Sequence, residues 1–171
     1  MIKIVREDMK PGKGAAHEKI ESAFARAFQA SKYPNYVGCE RLTGPTQAWF
    51  LEGYANYAGI EAALKIASSE PLKSNLSQLE VQDGELRSGE RTMIAQYMKD
   101  LSYTRNAFNL ARMRFLFVNV IQVQRGHAQD FAEWSKIRSA ACGANLSDDL
   151  AHGIAKVSGR RDSVGEPLGN G

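Results

Sequence analysis

The chain has 171 residues, of which 43% are hydrophobic and 24% are charged, so it can form a buried core and is neither fibrous nor disordered. Its formal net charge is only +3, which gives no electrostatic reason to expect a nucleic acid or a membrane surface as its partner. Two cysteines, Cys39 and Cys142, are too few for a disulfide framework or a cysteine-based zinc cluster.

The first hundred residues alternate between strand and helix patterns. β-Branched and aromatic runs predict strands, and apolar residues at three- and four-residue spacing predict helices. The predicted elements are a strand over 1–9, a helix over 15–30, strands over 36–42 and 48–54, helices over 58–68 and 72–82, and a strand over 91–98. This order predicts an α+β fold, the ferredoxin-like split βαβ unit with an antiparallel sheet.

The strand, turn and helix at the start of the chain are repeated later. An apolar strand over 115–118, a turn at Arg125-Gly126 and a helix with Phe131 and Trp134 match the opening at an offset of 114 residues. A strand over 154–157 follows, but too few residues remain for a complete second unit. We therefore expect a duplicated α/β-barrel with an incomplete second copy. The predicted organisation is a complete unit over 1–104, a linker over 105–114, a partial unit over 115–159 and a flexible tail over 160–171.

The strands carry large apolar residues on both faces, whereas a sheet with one face in water would alternate. Trp49 and Leu51 point to one side of the predicted sheet, and Phe50 and Tyr54 point to the other. Leaving such side chains in water forfeits about 1.5–3 kcal/mol each. We therefore expect a second sheet against this one, from an intrachain pseudo-dimer or from a homodimer. The alternative is that loops cover these residues near the sheet edges.

Residues 5–19, together with Leu42-Thr43-Gly44-Pro45 and Ala48-Trp49-Phe50-Leu51, resemble the dimeric α/β-barrel superfamily. The resemblance is to tandem-repeat bacterial members related to the antibiotic-biosynthesis monooxygenase group. It covers about residues 1–140, returns at Lys156-Val157-Ser158-Gly159 and fails beyond Gly159.

The resemblance implies a cavity between the sheet and the helices that binds a small apolar or aromatic compound, as in cofactor-independent monooxygenases. Four aromatic residues would line that cavity: Phe24, Trp49, Tyr54 and Tyr97. Haem-degrading relatives need a histidine, an asparagine and a tryptophan in one pocket, and the first strand here has no asparagine, so we expect no cofactor. The alternative function is a non-enzymatic module for ligand binding or assembly.

His17, just inside the first helix, is the candidate catalytic base, and the alternative is a histidine that makes a local hydrogen bond at the helix start. His127 occupies the matching turn and is interpreted as a capping residue. The histidines lack metal-ligand spacing, which predicts no metal site. Glu7 and Asp8, next to Arg6, are interpreted as an exposed ion pair.

The remaining patterns concern partners and location. No strand carries the basic and aromatic motif of RNA-binding sheets, and residues 1–104 hold 13 basic and 13 acidic side chains, so we expect no nucleic acid partner. The longest apolar stretch is far short of the roughly 20 residues that cross a bilayer. Met1 leads into Ile2-Lys3-Ile4-Val5 without the pattern of a secretory signal, which predicts a cytoplasmic protein.

Overall fold

The elements of the fold follow the sequence pattern closely. In the computed structural model, the described residues are 1–103, 117–145 and 155–157. They form strands β1 (Ile2–Met9), β2 (Tyr36–Glu40), β3 (Gln47–Gly53), β4 (Arg87–Tyr97) and β5 (Ala155–Val157), helices α1 (Gly14–Ala30), α2 (Tyr57–Ala67), α3 (Leu72–Gly84) and α4 (Ala128–Asn145), and a 3-10 turn over Lys99–Leu101.

The strands form an antiparallel sheet in the order β2-β3-β1-β4-β5. β1 lies in the centre, so that Ile2 is paired with Gly53 on one side and with Ala95 on the other. This order confirms the predicted ferredoxin-like α+β fold. The short strand β5 extends the sheet by pairing with the end of β4.

The core lies between the sheet and the helices. Met9, Ala48 and Phe50 form its centre, and Val5 and Tyr36 pack against them. An aromatic stack continues toward α1, because the ring of Tyr36 lies 5.5 Å from that of Phe50 and 4.6 Å from that of Phe28. The strand side chains that face α1 and α3 are therefore fixed by a packed aromatic layer.

The opposite face of the sheet, here called the outer face, also carries apolar side chains, as predicted. Trp49, Met93 and Val120 line a cleft of about 390 Å³ on this face. Leu51 shares it with Trp49 by strand alternation, whereas Phe50 lies on the helix side. Among the helices that the structure describes, none is both long and apolar enough to cross a bilayer.

Two predictions about the strands are wrong. β4 begins at Arg87 and not at residue 91, because Arg87 and Gly89 already pair with the end of β1. The predicted strand over 115–118 is not formed where it is described, since residues 117–124 have no regular secondary structure. A strand needs a partner edge, and the edge of β4 next to Ala95–Tyr97 is occupied by β5.

The two turns that the sequence aligns have similar backbone geometry. Gly12 and Gly126 both adopt a positive φ, of 73° and 88°, in the turns before α1 and α4, a conformation that favours glycine. The helix predicted to carry Phe131 and Trp134 is α4. The division into two units stays a prediction, and the expected linker over 105–114 and tail over 160–171 lie outside the described residues.

Candidate functional site

Five ionisable side chains meet between the sheet and helices α1 and α3, and we call them the acid–histidine cluster: Glu7, His17, Glu21, Asp83 and Arg87. Glu7 lies on the helix-facing side of β1, between Val5 and Met9. The two α1 residues are four apart and so share one face of that helix. The last two come from the end of α3 and the start of β4.

His17 is at the centre of the cluster, with an exposed fraction of only 1%. Its Nε2 lies 2.9 Å from Oε2 of Glu7, within hydrogen-bond distance. The same nitrogen lies 3.4 Å from Oδ1 of Asp83 and 3.7 Å from Oε1 of Glu21. Three carboxylates therefore surround one imidazole nitrogen in a region from which water is largely excluded.

Arg87 partly balances these carboxylates. Its guanidinium contacts Oε1 of Glu7 at 2.8 Å and Oδ2 of Asp83 at 2.7 Å, and the side chain is only 12% exposed. It also contacts Glu80 and Glu90 nearer the surface. Because one guanidinium contacts the buried Glu7 and Asp83 and the partly buried Glu21 lies beside them, the cluster keeps an excess of negative charge when all three carboxylates are ionised.

The protonation of the cluster reflects this excess. Burial raises the pKa of Glu21 to about 7, although the Tyr36 hydroxyl donates a 2.8 Å hydrogen bond that favours the charged form. Burial also raises the pKa of Asp83. Burial alone would lower the pKa of His17, but the Glu7 hydrogen bond and the neighbouring carboxylates outweigh it, so that this pKa is raised. The cluster therefore binds protons more strongly than isolated side chains would.

A second polar network lies on the same side of the sheet, centred on Glu52, which is 3% exposed. Its carboxylate accepts hydrogen bonds from the hydroxyls of Tyr33 and Tyr54 and contacts Lys3 at 2.8 Å. Burial and the bond to Glu52 raise the pKa of Tyr54 to about 12. This buried carboxylate is therefore balanced by a lysine and two hydroxyl groups.

The four aromatic residues predicted to line one cavity are not brought together. Phe24 lies on the buried face of α1, next to Phe28. Tyr54 belongs to the Glu52 network, on the same side of the sheet. Trp49 lies on the outer face, and strand alternation places Tyr97 there as well, with 38% of it exposed. Only Phe24 and Tyr54 therefore share the side of the sheet on which His17 lies.

The prediction of an exposed ion pair is wrong for Glu7, which is 6% exposed and hydrogen-bonded to His17. Strand alternation with Val5 and Met9 is the signal that places Glu7 in the core. Arg6 and Asp8 do form a partly exposed ion pair, at 3.4 Å. His17 is not at the helix surface, and its partner lies on β1.

The sequence reasoning missed Glu21, Asp83 and Arg87. The spacing of His17, Glu21 and Phe24 along one face of α1 could have indicated the first of them. The other two depend on how α3 returns to the sheet, which no local pattern reports. His127, the histidine of the second turn, is exposed, and its Nδ1 lies 2.6 Å from Asp130.

Comparison with solved structures identifies the fold. A candidate monooxygenase from Fusobacterium nucleatum superposes with a TM-score of 0.54 at 13% identity, over 91% of this chain and 68% of that one. An uncharacterised NIPSNAP domain protein from Burkholderia xenovorans gives 0.46 at 12% identity, over 53% and 87%. A candidate antibiotic biosynthesis monooxygenase from Nitrosomonas europaea gives 0.38 at 14% identity, over 53% and 83%. At 13% identity, the match to the Fusobacterium nucleatum protein shows a shared α+β fold. No protein-family model and no curated protein sequence matches the chain.

The likeness to these solved structures concerns the fold, and one fold can serve many reactions. What is particular to this chain is therefore its side chains. Within the described residues, the acid–histidine cluster is the place where several buried ionisable groups converge on one point. Such convergence is typical of functional sites.

Proposed function

We propose that the chain binds a small apolar or aromatic compound on the helix side of the sheet and oxidises it in the manner of a cofactor-independent monooxygenase, with His17 as the base. The observation that supports this role is the buried contact of 2.9 Å between His17 Nε2 and Glu7. A carboxylate that accepts the Nε2–H bond favours the imidazole tautomer in which Nδ1 carries the lone pair that can accept a proton.

In this reaction the protein supplies a base and a binding surface for the substrate. Removing a proton from an activated CH₂ group, as in an anthrone, leaves a carbanion that can transfer electrons to molecular oxygen. The net reaction converts CH₂ and O₂ into C=O and H₂O, so the substrate supplies the electrons. The Phe50 ring, whose centroid lies 6.4 Å from that of His17 and which stacks on Tyr36, provides an apolar surface for an aromatic substrate beside this base.

Oxygen uptake by the purified protein with anthrone-type and hydroquinone substrates tests this function. We expect His17→Gln to lower the rate by about 100-fold or more, the usual contribution of a general base. His127→Gln is the matched control, since that histidine is exposed and lies at the equivalent helix start. Circular dichroism checks that the variants are folded. If no substrate of the panel consumes oxygen, or if His17→Gln is as active as the control, the proposed reaction is wrong.

A non-enzymatic module for ligand binding or assembly is the second candidate, and the burial of His17 favours it. The imidazole is 1% exposed, and its Nε2 is already paired with groups of the chain itself. A substrate would have to part α1 or α3 from the sheet to reach it. Binding of an aromatic compound without oxygen uptake is the result that supports this candidate.

We also propose that the outer face pairs with a second sheet, from another copy of the chain or from the second predicted unit. Two observations support this proposal. Trp49 and Leu51 are only half-buried on this face, and Phe117 and Val120, in the segment over 117–124, are 85% and 84% exposed.

Sedimentation equilibrium distinguishes the two forms of pairing. If the chain is a homodimer, Leu51→Lys converts it to a monomer, because it places a charge in the apolar contact. Val81→Lys on α3 is the matched control, since Val81 is already 74% exposed. A wild-type monomer whose Leu51 is protected from solvent supports the intrachain form, and a monomer with a solvated Leu51 contradicts both.

A further inference from the structure

The acid–histidine cluster has the composition and the spacing of a metal site. We propose that Glu7, His17, Glu21 and Asp83 bind one divalent transition-metal ion, of the kind represented by Zn²⁺ or Mn²⁺. This proposal goes beyond the oxidation proposed above and does not depend on it.

The distances fit a single ion. One donor atom from each of the four residues lies within 4.8 Å of all the others. Zinc–nitrogen and zinc–oxygen bonds are about 2.1 Å long, so two donors of one ion are at most about 4.2 Å apart. The three contacts of His17 Nε2, at 2.9, 3.4 and 3.7 Å, already satisfy this limit. The widest pair needs to approach by only about 0.6 Å, which side-chain rotation can supply.

Each carboxylate has one oxygen held by a partner and the other turned toward His17 Nε2. Arg87 holds Oε1 of Glu7 and Oδ2 of Asp83, and Tyr36 holds Oε2 of Glu21. The remaining oxygens of these three residues are the ones that face the imidazole nitrogen. Metal-binding carboxylates are oriented in this way, by hydrogen-bonding groups behind the ligand atoms.

Asp83 supplies an independent observation. Its Oδ1 is fully buried and has no hydrogen-bond partner, although the residue is only 1% exposed. This atom points into the cluster, 3.4 Å from His17 Nε2. A buried oxygen without a partner is costly to a folded protein, so such an atom indicates a missing ligand or ion. A cation between Asp83 and His17 would satisfy it.

The charge of the cluster also matches a divalent cation. Three buried carboxylates and one guanidinium leave a charge of −2 when the imidazole is neutral. One imidazole with three carboxylates is a ligand set for Zn²⁺, Mn²⁺ or Fe²⁺, because nitrogen ligands favour transition metals over Mg²⁺ and Ca²⁺. With the ion bound, His17 would be a ligand through Nε2, and its imidazole could no longer act as a base.

Isothermal titration of the EDTA-treated full-length protein with ZnCl₂ and with MnCl₂ tests the proposal. We expect one ion per chain, and about tenfold weaker binding for His17→Gln and for Asp83→Asn. Tyr36→Phe, which leaves all four ligands in place, is expected to weaken binding about tenfold as well, since it frees the Glu21 carboxylate. MgCl₂ should bind at least tenfold more weakly than MnCl₂.

His127→Gln is the control, because the exposed pair of His127 and Asp130 is where adventitious zinc would bind. Its affinity should equal that of the wild type. Binding that is lost in this variant and kept in Asp83→Asn overturns the proposal, as does the absence of saturable binding. If Asp83→Asn does not fold, the rise in melting temperature on adding the ion is compared between Tyr36→Phe and the wild type. A smaller rise in the variant supports the proposal, and an equal rise contradicts it. Oxygen uptake is measured separately in EDTA, so failure of either proposal is recognised independently.

Discussion

The charge state of Glu21 gives the most direct test of how the acid–histidine cluster affects stability. Burial raises the pKa of this carboxyl to about 7, and the charges of Glu7 and Asp83 act in the same direction. Glutamine has nearly the same shape and keeps an oxygen that can accept the bond from Tyr36. We therefore expect Glu21→Gln to stabilise the metal-free protein at pH 8, where the carboxylate is charged.

The magnitude follows from the pKa shift. A group with a raised pKa in the folded state contributes stability that is complete below its unfolded pKa and is lost as the pH rises through its folded pKa. For Glu21 that window runs from 4.5 to about 7, which corresponds to about 3 kcal/mol. The side chain is 15% exposed, so we expect about 1–3 kcal/mol. The pKa values of His17 and Asp83 are also raised, and both groups act in the same direction.

Urea denaturation in EDTA, followed by circular dichroism at pH 4.5 and pH 8, measures the effect. The wild type should be more stable at the lower pH, and the gain from Glu21→Gln should appear only at the higher one. Glu18→Gln is the control, since Glu18 is exposed on the same helix. A wild type that gains stability between pH 5 and 8, or a glutamine variant destabilised equally at both, would refute the reasoning.

Three further substitutions, one of them with a control, test charge balance, core packing and helix capping by denaturant midpoints. Arg87→Gln leaves two buried carboxylates unbalanced, and we expect a loss of about 3–5 kcal/mol at pH 8 that is smaller at pH 5. Phe50→Ala should cost about 3–5 kcal/mol, whereas Val81→Ala, at a residue 74% exposed, should change little. Asn56→Ala removes the side-chain cap on the amide of Gly59 and should cost about 1 kcal/mol; no change would show that the cap is dispensable.

The fold could be predicted because its signals are local. Apolar periodicity and turn residues located the four main strands and three helices of the sheet unit to within a few residues, and their order then determined the topology. The start of β4 was missed because Arg87-Ser88-Gly89-Glu90 lacks strand-like residues and pairs only because β1 lies beside it. The prediction of a strand over 115–118 is wrong in its described part for the opposite reason: residues 117–124 include β-branched side chains but pair with none of the described strands.

The candidate site was only partly accessible to the same reasoning. His17 was identified from its residue type, but its partner was not, because Glu7 lies ten residues away on another element. Asp83 and Arg87 reach the site through the turn from α3 into β4, with Arg87 contacting Glu7 across 80 residues of sequence. Contacts at such separations depend on tertiary structure, and neither spacing nor composition reports them.

Stability alone does not explain why the cluster is there. A buried set of ion pairs can usually be replaced by apolar residues of similar volume with no loss, or with a gain, of stability. Here Arg87 contacts two of the three carboxylates, and Oδ1 of Asp83 has no hydrogen-bond partner, so the charges of the set are not balanced. Protons or a cation must supply the missing positive charge. If protons supply it, His17 stays available for acid–base chemistry. If a cation supplies it, His17 is a metal ligand and cannot act as the base. Zn²⁺ should therefore inhibit oxygen uptake if both proposals hold.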